Sequence, residues 1–326
     1  MNGARVSPGD TPARVPHPGL SRRADVVMGT IVTIDVPRQM TSAAATRAHA
    51  EAVSRAFDWF HEVERVCTRF NSESELMQLA GRPGVPVPVG PILFEAIRFA
   101  LAVAAASGGA FDPTIGLRME RRGFNREHRT GRVVTTHADS GDDATYRDVH
   151  IDEGNRTVTL TRPMLLDLGA VAKGLAIDLA ARELAPVEHF AIDAGGDLYL
   201  AGLNPDGAPW SAGIRHPESD GLLGTLRVSD RAVCTSGTYE RRSPSDPDAR
   251  HIIDPRTGTS PVDLISATVV APSAMLADAL ATTAFVLGPV GGRRLIDEHN
   301  VCGVFITSTF ERLVTGGCGS DALVID

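Results

Sequence analysis

Met164-Leu165-Leu166-Asp167-Leu168-Gly169-Ala170-Val171-Ala172-Lys173-Gly174 changes character at Gly169, where a short apolar run gives way to a segment of helical composition that continues to Leu184. It reads as strand, turn and helix. Two strand candidates precede it, at 148–152 and 157–160. Downstream, short β-rich runs at 189–193, 198–200, 210–214, 224–228, 232–234 and 266–270 alternate with turns. One helix interrupts them, from Ser273 as N-cap to Leu287 before Gly288, and a last hairpin of 303–306 with 322–325 would close the sheet. The fold class is α+β, a sheet-rich core with flanking helices.

Working toward the N-terminus, 91–106 reads as a helix closed by Ser107-Gly108-Gly109, and 41–66 as an amphipathic helix with Val53, Phe57, Phe60 and Val63 on one face. Ser72, three residues before Glu75, offers a capping box for a short helix between them. Residues 25–36 are β-branched, end at Pro37, and read as one strand. Residues 123–148 form a polar surface excursion. The first 24 residues, rich in Pro, Gly and Arg, read as a disordered tail, which leaves one domain over 25–326.

Composition narrows the function classes. With 43% hydrophobic and 22% charged residues in 326, the chain can bury a large core. A net charge of −8 without a Lys/Arg block argues against nucleic acid or an anionic membrane as partner. No stretch has 18 or more apolar residues, so membrane insertion is not expected. Cys67, Cys234, Cys302 and Cys318 form no C-x-x-C pair, which excludes a zinc ribbon or redox dithiol and fits a reduced compartment. Arg22-Arg23 invites a twin-arginine export reading, but Asp25 and Asp35 follow in strand-like alternation rather than an apolar core. A cytoplasmic setting is expected.

Several stretches can carry chemistry. Asp278 and Thr282 stand four apart on one helical face, a pair of oxygen donors suited to Mg²⁺, while Thr283 points elsewhere; the alternative is a solvated Asp and a Thr bonded to its own turn. Lys173 lies one turn inside a helix start that attracts anions, or else is a surface lysine. Leu175 and Ala176 replace the Lys-Ser/Thr of a Walker motif. Gly108-Gly109-Ala110-Phe111-Asp112-Pro113-Thr114 can admit a ring system, or be a plain turn. His251-Ile252-Ile253-Asp254-Pro255-Arg256-Thr257-Gly258 offers a histidine base with Asp254 to orient it, or a histidine bonded within its turn. Ser236 lacks a nucleophile elbow, and His61-Glu62 has no second histidine.

In chain order, Met28-Gly29-Thr30, 109–114, 167–174, Gly195-Gly196-Asp197, Thr235-Ser236-Gly237, 251–258 and 277–282 together resemble the ApbE-like flavin transferases, from Met28 to the C-terminus. The resemblance implies a T-fold-like α+β architecture and transfer of FMN from FAD to a Thr or Ser hydroxyl of a target protein, with release of AMP. It implies Mg²⁺ on the Ala170 carbonyl, Asp278 and Thr282. FAD contacts would come from Met28, Phe70, Ala110, Phe111, Asp112, Asp167, Lys173 and Ile252, with His251 as catalytic base. Phe70 stands where the family often has Tyr, Thr238 where Asp or Asn is usual, and Leu117 in place of a frequent Pro. The alternatives are an FAD pyrophosphatase giving FMN and AMP, or an FAD-binding protein without turnover.

Overall fold

The stretch expected to be a single strand is the greater part of a hairpin. β1 (Leu20–Val27) pairs antiparallel with β2 (Thr30–Pro37), with Val27 opposite Thr30. Met28 and Gly29 between them have φ of 54° and 73°. Both central residues are left-handed, the requirement of the tight turn that matches strand twist. A methionine in this position gives no turn signal, so the sequence reads as continuous strand. β1 begins at Leu20, inside the stretch expected from sequence to be a tail. The computed structural model describes residues 17–38, 42–128, 130–136, 143–217, 219, 221–238, 250–318 and 323–324.

Helix α1 (Ala43–Cys67) buries Val53, Phe57, Phe60 and Val63 on the expected stripe. The short α2 (Glu75–Ala80) is capped by Ser74, whose hydroxyl accepts from Met77 N, and not by Ser72. Glu75 instead accepts from Gly90 N. Then follow β3 (Val87–Pro88), α3 (Pro91–Ala106), α4 (Gly116–Arg121), β4 (Val149–Asp152) and β5 (Thr157–Leu160), the three strands forming a small sheet in the order β3-β5-β4. Residues 164–168 are not a strand. All but Asp167 are buried, and the run bonds to a turn, Gly116 N donating to Leu165 O (3.0 Å) and Asp167 N to Pro113 O (2.7 Å). Helix α5 (Gly169–Glu183) begins directly after them.

The remaining strands are β6 (Phe190–Ala194), β7 (Asp197–Ala201), β8 (Trp210–Arg215), β9 (Leu222–Val228), β10 (Arg231–Gly237) and β11 (Leu264–Ala271), followed by α6 (Ala274–Glu298), β12 (Cys302–Thr307), β13 (Arg312–Val314) and β14 (Leu323–Val324). The main sheet runs β1-β2-β6-β7-β10-β11-β12-β13, every pair antiparallel. Alternation along its strands feeds two cores. Ala232 and Cys234 join Ile34, Ile192, Val269 and Phe305 under the helices, whereas Val233, Leu198, Leu200 and Val304 pack with Trp210 of the β8-β9 sheet. Helices, main sheet and the β8-β9 sheet form three layers.

The C-terminus departs from expectation twice. β12 pairs with β13, and β14 leaves to pair with β9 in the sheet ordered β14-β9-β8. A disulfide joins Cys302 to Cys318, so two of the four cysteines are not thiols. Helix α6 continues past Leu287 after a break at Gly288 and Pro289. Its length and composition would suit a membrane span, but its first half is a core helix against β10 and β11.

Candidate functional site

Helices α5 and α6 meet at their N-termini because nothing separates them. A Cβ on Gly174 would lie 2.5 Å from Met275 Cα and 2.6 Å from Ala274 O, so only glycine permits this crossing. Asp178, one turn further along α5, accepts from the backbone N–H groups of Ala274 (2.6 Å) and Met275 (3.0 Å) and caps α6. Burial pushes the Asp178 carboxyl above the usual range, more strongly than these bonds hold it down.

This crossing places Lys173 of α5 beside Asp278 of α6, with Nζ 3.6 Å from the carboxylate. Asp197, at the start of β7, forms a direct ion pair with the same ammonium and accepts from Thr235 N at 3.2 Å. Asp278 is 6% exposed and Asp197 4%, so neither is a solvated surface acid. The surface-lysine alternative for Lys173 is set aside by these two partners. Thr282 lies with Asp278 on one face, and its hydroxyl is 3.0 Å from Ser236 Oγ at the end of β10. Thr283 turns away and bonds to Ala279 O (2.7 Å), as its position on the helix predicts. Ala170 stands in the first turn of α5.

The donors gathered here are hard oxygens: two buried carboxylates, two hydroxyls and the backbone of a helix start. Two carboxylates face one ammonium, a balance that suits a divalent cation. Among the described residues no three His, Cys, Asp or Glu side chains converge on a metal position. The residues fit Mg²⁺, which takes few protein carboxylates and shares phosphate oxygens.

A second group of expected residues is assembled by Arg69. Buried at 5% exposure, it donates to Asp167 Oδ2 (2.9 Å) and Phe124 O (2.5 Å), and its guanidinium lies 4.4 Å from the Phe70 ring centre. Asp167 Oδ1 accepts from Gly169 N (2.9 Å). Phe70, the start of α5 and the Pro113 turn are thus tied together. Met28 is held separately, its N–H donating to Glu64 near the end of α1 (2.8 Å). Asp112 accepts from Thr114 N (2.9 Å), Thr114 Oγ1 (2.8 Å) and Tyr146 N (2.9 Å), so its carboxylate builds the turn. Ala110, Phe111 and Ile252 are buried in the main core.

His251 is half-buried at the start of the 251–258 turn. Asp254 does not orient it. Its oxygens accept from Arg256 Nε (2.9 Å) and Nη2 (2.8 Å), and burial, which would raise its carboxyl, is outweighed by these bonds, leaving it below the ordinary value. The turn is fastened from α4, where Arg118 donates to Pro255 O (2.5 Å) and Arg122 to Gly258 O and Ser260 Oγ (3.2 Å). Sequence reasoning missed Arg69, Asp197 and Ser236 as site residues. Asp197 and Ser236 lay inside quoted motifs, but nothing local announces that their partners are Lys173 and Thr282.

The family model of the ApbE family matches residues 28–306. The FAD:protein FMN transferase of Treponema pallidum (strain Nichols) is 34% identical over 82% of this chain and 78% of its own length. That of Klebsiella pneumoniae (strain 342) is 33% identical over 80% and 84%. The crystal structure of the ApbE protein from Thermotoga maritima superposes with a TM-score of 0.77 at 27% identity, over 91% of this chain and 97% of that one. The flavin transferase ApbE from Vibrio cholerae gives 0.76 at 27% over 91% and 98%. With the same fold, relatives above 30% identity and a family model spanning most of its length, the chain belongs to the ApbE family.

Proposed function

We propose that this protein is an FAD:protein FMN transferase, which moves FMN from FAD to a Thr or Ser hydroxyl of an acceptor protein and releases AMP. The observation that carries the reading is the Lys173–Asp197–Asp278 cluster with its Ser236 and Thr282 hydroxyls, held between two helix N-termini. The relatives' shared name supports the flavin part of it. Asp278, Thr282 and the Ala170 carbonyl would hold Mg²⁺, which supplies charge neutralisation to the pyrophosphate.

The chain's own residues do the rest. Lys173 brings a positive charge to the phosphates, and Asp197 fixes the direction of its amine. The start of α5 adds backbone N–H groups aimed at anions. Phosphoryl transfer rests on positioning and charge, so a prebuilt cluster of this kind suits it. His251 takes the proton from the acceptor hydroxyl as that oxygen attacks phosphorus; AMP leaves as the P–O bond breaks. Asp254 is committed to Arg256, so that carboxylate is not the group that orients the imidazole.

The test incubates the purified protein with FAD and Mg²⁺, with and without a flavin-acceptor domain, and follows AMP release and acceptor mass. An FMN-sized mass increase is expected. AMP release without acceptor modification would favour the pyrophosphatase, and bound, uncleaved FAD a binding protein. The Cys302–Cys318 disulfide favours a compartment that sustains such bonds over the cytoplasmic setting expected from sequence, and thiol trapping in intact cells decides between them.

A further inference from the structure

We propose that Arg69 is a positioning residue for substrate binding, a role that rests on the FMN-transfer reading. It sets the Phe70 ring and the Asp167 carboxylate as one seat for a planar heteroaromatic ring with N–H groups at its edge. FAD carries two such rings, isoalloxazine and adenine. Arg69 itself is too deep for a ligand, its side chain being 6% exposed, whereas that of Asp167 keeps 19% and Phe70 is half-buried. Its influence on a bound ring must pass through those two neighbours.

The backbones on either side are fixed without Arg69. Ser74 Oγ donates to Thr68 O (2.6 Å) and Phe70 N to Thr68 Oγ1 (3.2 Å), which holds the chain as it leaves α1. Asp167 N is held by Pro113 O. These bonds leave the tilt of the Phe70 ring open, and Gly169 N reaches only one oxygen of the Asp167 carboxylate. Arg69 closes both gaps. Its central carbon lies 4.4 Å from the ring centre, Nε donates to Asp167 Oδ2 (2.9 Å), and Nη2 is anchored on Phe124 O (2.5 Å). One guanidinium thus spaces ring and carboxylate, within about 9 Å of each other. A heterocycle stacked on Phe70 has its edge within reach of a carboxylate so placed. A carboxylate offers about four acceptor sites, so Asp167 can accept from a ligand while keeping its bonds to Arg69 and Gly169. A lysine would keep the charge, but it has neither the fork nor the flat face.

The experiment measures the dissociation constants of FAD, FMN and AMP for the full chain by isothermal titration, without added metal so that FAD stays intact. FMN and AMP are the two halves of FAD, one ring each. In Arg69→Met, FAD is expected to bind about tenfold weaker or more, the scale of losing an oriented stacking partner and a charge-held acceptor. One half-molecule should lose the same factor and the other keep its affinity, which identifies the ring that occupies the seat. A residue that only held the fold together would weaken both halves alike. Arg69→Lys, which keeps a charge beside Asp167, should show the same one-sided loss, and carries the test if the methionine variant misfolds. Equal losses for FMN and AMP, unchanged affinities in both variants, or no detectable binding of FAD or of either half to the wild-type protein would overturn the proposal. AMP release from FAD and Mg²⁺ by the wild-type protein tests the transfer reading by itself, so the two can fail separately.

Discussion

The α5–α6 junction and the 251–258 turn, which carry the two parts of the proposed site, are held in opposite ways. At the junction, glycine contact and core packing bring Lys173 to Asp278, with Asp178 sealing the helix start. At the turn, arginines from α4 grip backbone carbonyls on the surface, and Asp254 is braced by its own neighbour Arg256. The charges to which the proposed mechanism gives a fixed role sit where the packing is tightest. The proposed base, His251, sits on a segment fastened by a few side-chain bonds.

The sharpest way to break this contrast is at the junction. Asp278→Ala should lower Mg²⁺-dependent AMP release by about a hundredfold to a thousandfold, the scale of losing a charge-stabilising group. Thr283→Ala, one turn position away, should cost about 1 kcal/mol of stability and spare AMP release. Equal loss of activity from both would refute the helix-face argument. Gly174→Ala should destabilise the protein by about 1–3 kcal/mol, read as a lower urea midpoint at unchanged slope, because the new methyl meets backbone rather than a movable side chain. An unchanged midpoint would mean the helices are not locked together there. Arg122→Ala should act locally, speeding amide exchange over 254–260 about tenfold while the global midpoint barely moves.

The smallest effect is a pH dependence of opposite sign in the two regions. Asp254 is held below the ordinary carboxyl value, so its stabilising contribution is complete above its unfolded value and disappears as pH falls through its folded one. Asp178 is raised by burial, so its contribution is complete below its unfolded value and is lost as pH rises through its folded one. Comparing Asp254→Asn and Asp178→Asn across acid pH should therefore give slopes of opposite direction. Parallel slopes would show that the two carboxylates are held alike.

Much of this was legible from the chain. Helical spacing located α1, a glycine cap closed α3, composition marked α5, and Ser273 marked the start of α6, because all of these are local signals. The hairpin at Met28 was not, since its turn lacks turn chemistry. The run 164–168 looks like a strand because burial selects the same apolar residues, but its hydrogen bonds go to a turn. The site divided along the same line. Asp278 and Thr282 could be paired by helical geometry alone, while the meeting of Lys173 with Asp197 depends on sheet order, which no local pattern encodes. Asp254 was assigned to His251 by proximity in sequence, and Arg256, equally close, took it instead.

Met28 carries a last consequence, one for anyone who would engineer this protein. A left-handed methionine costs about 1–2 kcal/mol relative to a residue at ease there, and Asn-Gly would satisfy the hairpin better. A screen for thermal tolerance would thus be drawn to this position early. It would also remove the side chain expected to touch the flavin, so the hardiest variants from such a screen should include poor catalysts, and selection should score turnover alongside heat resistance.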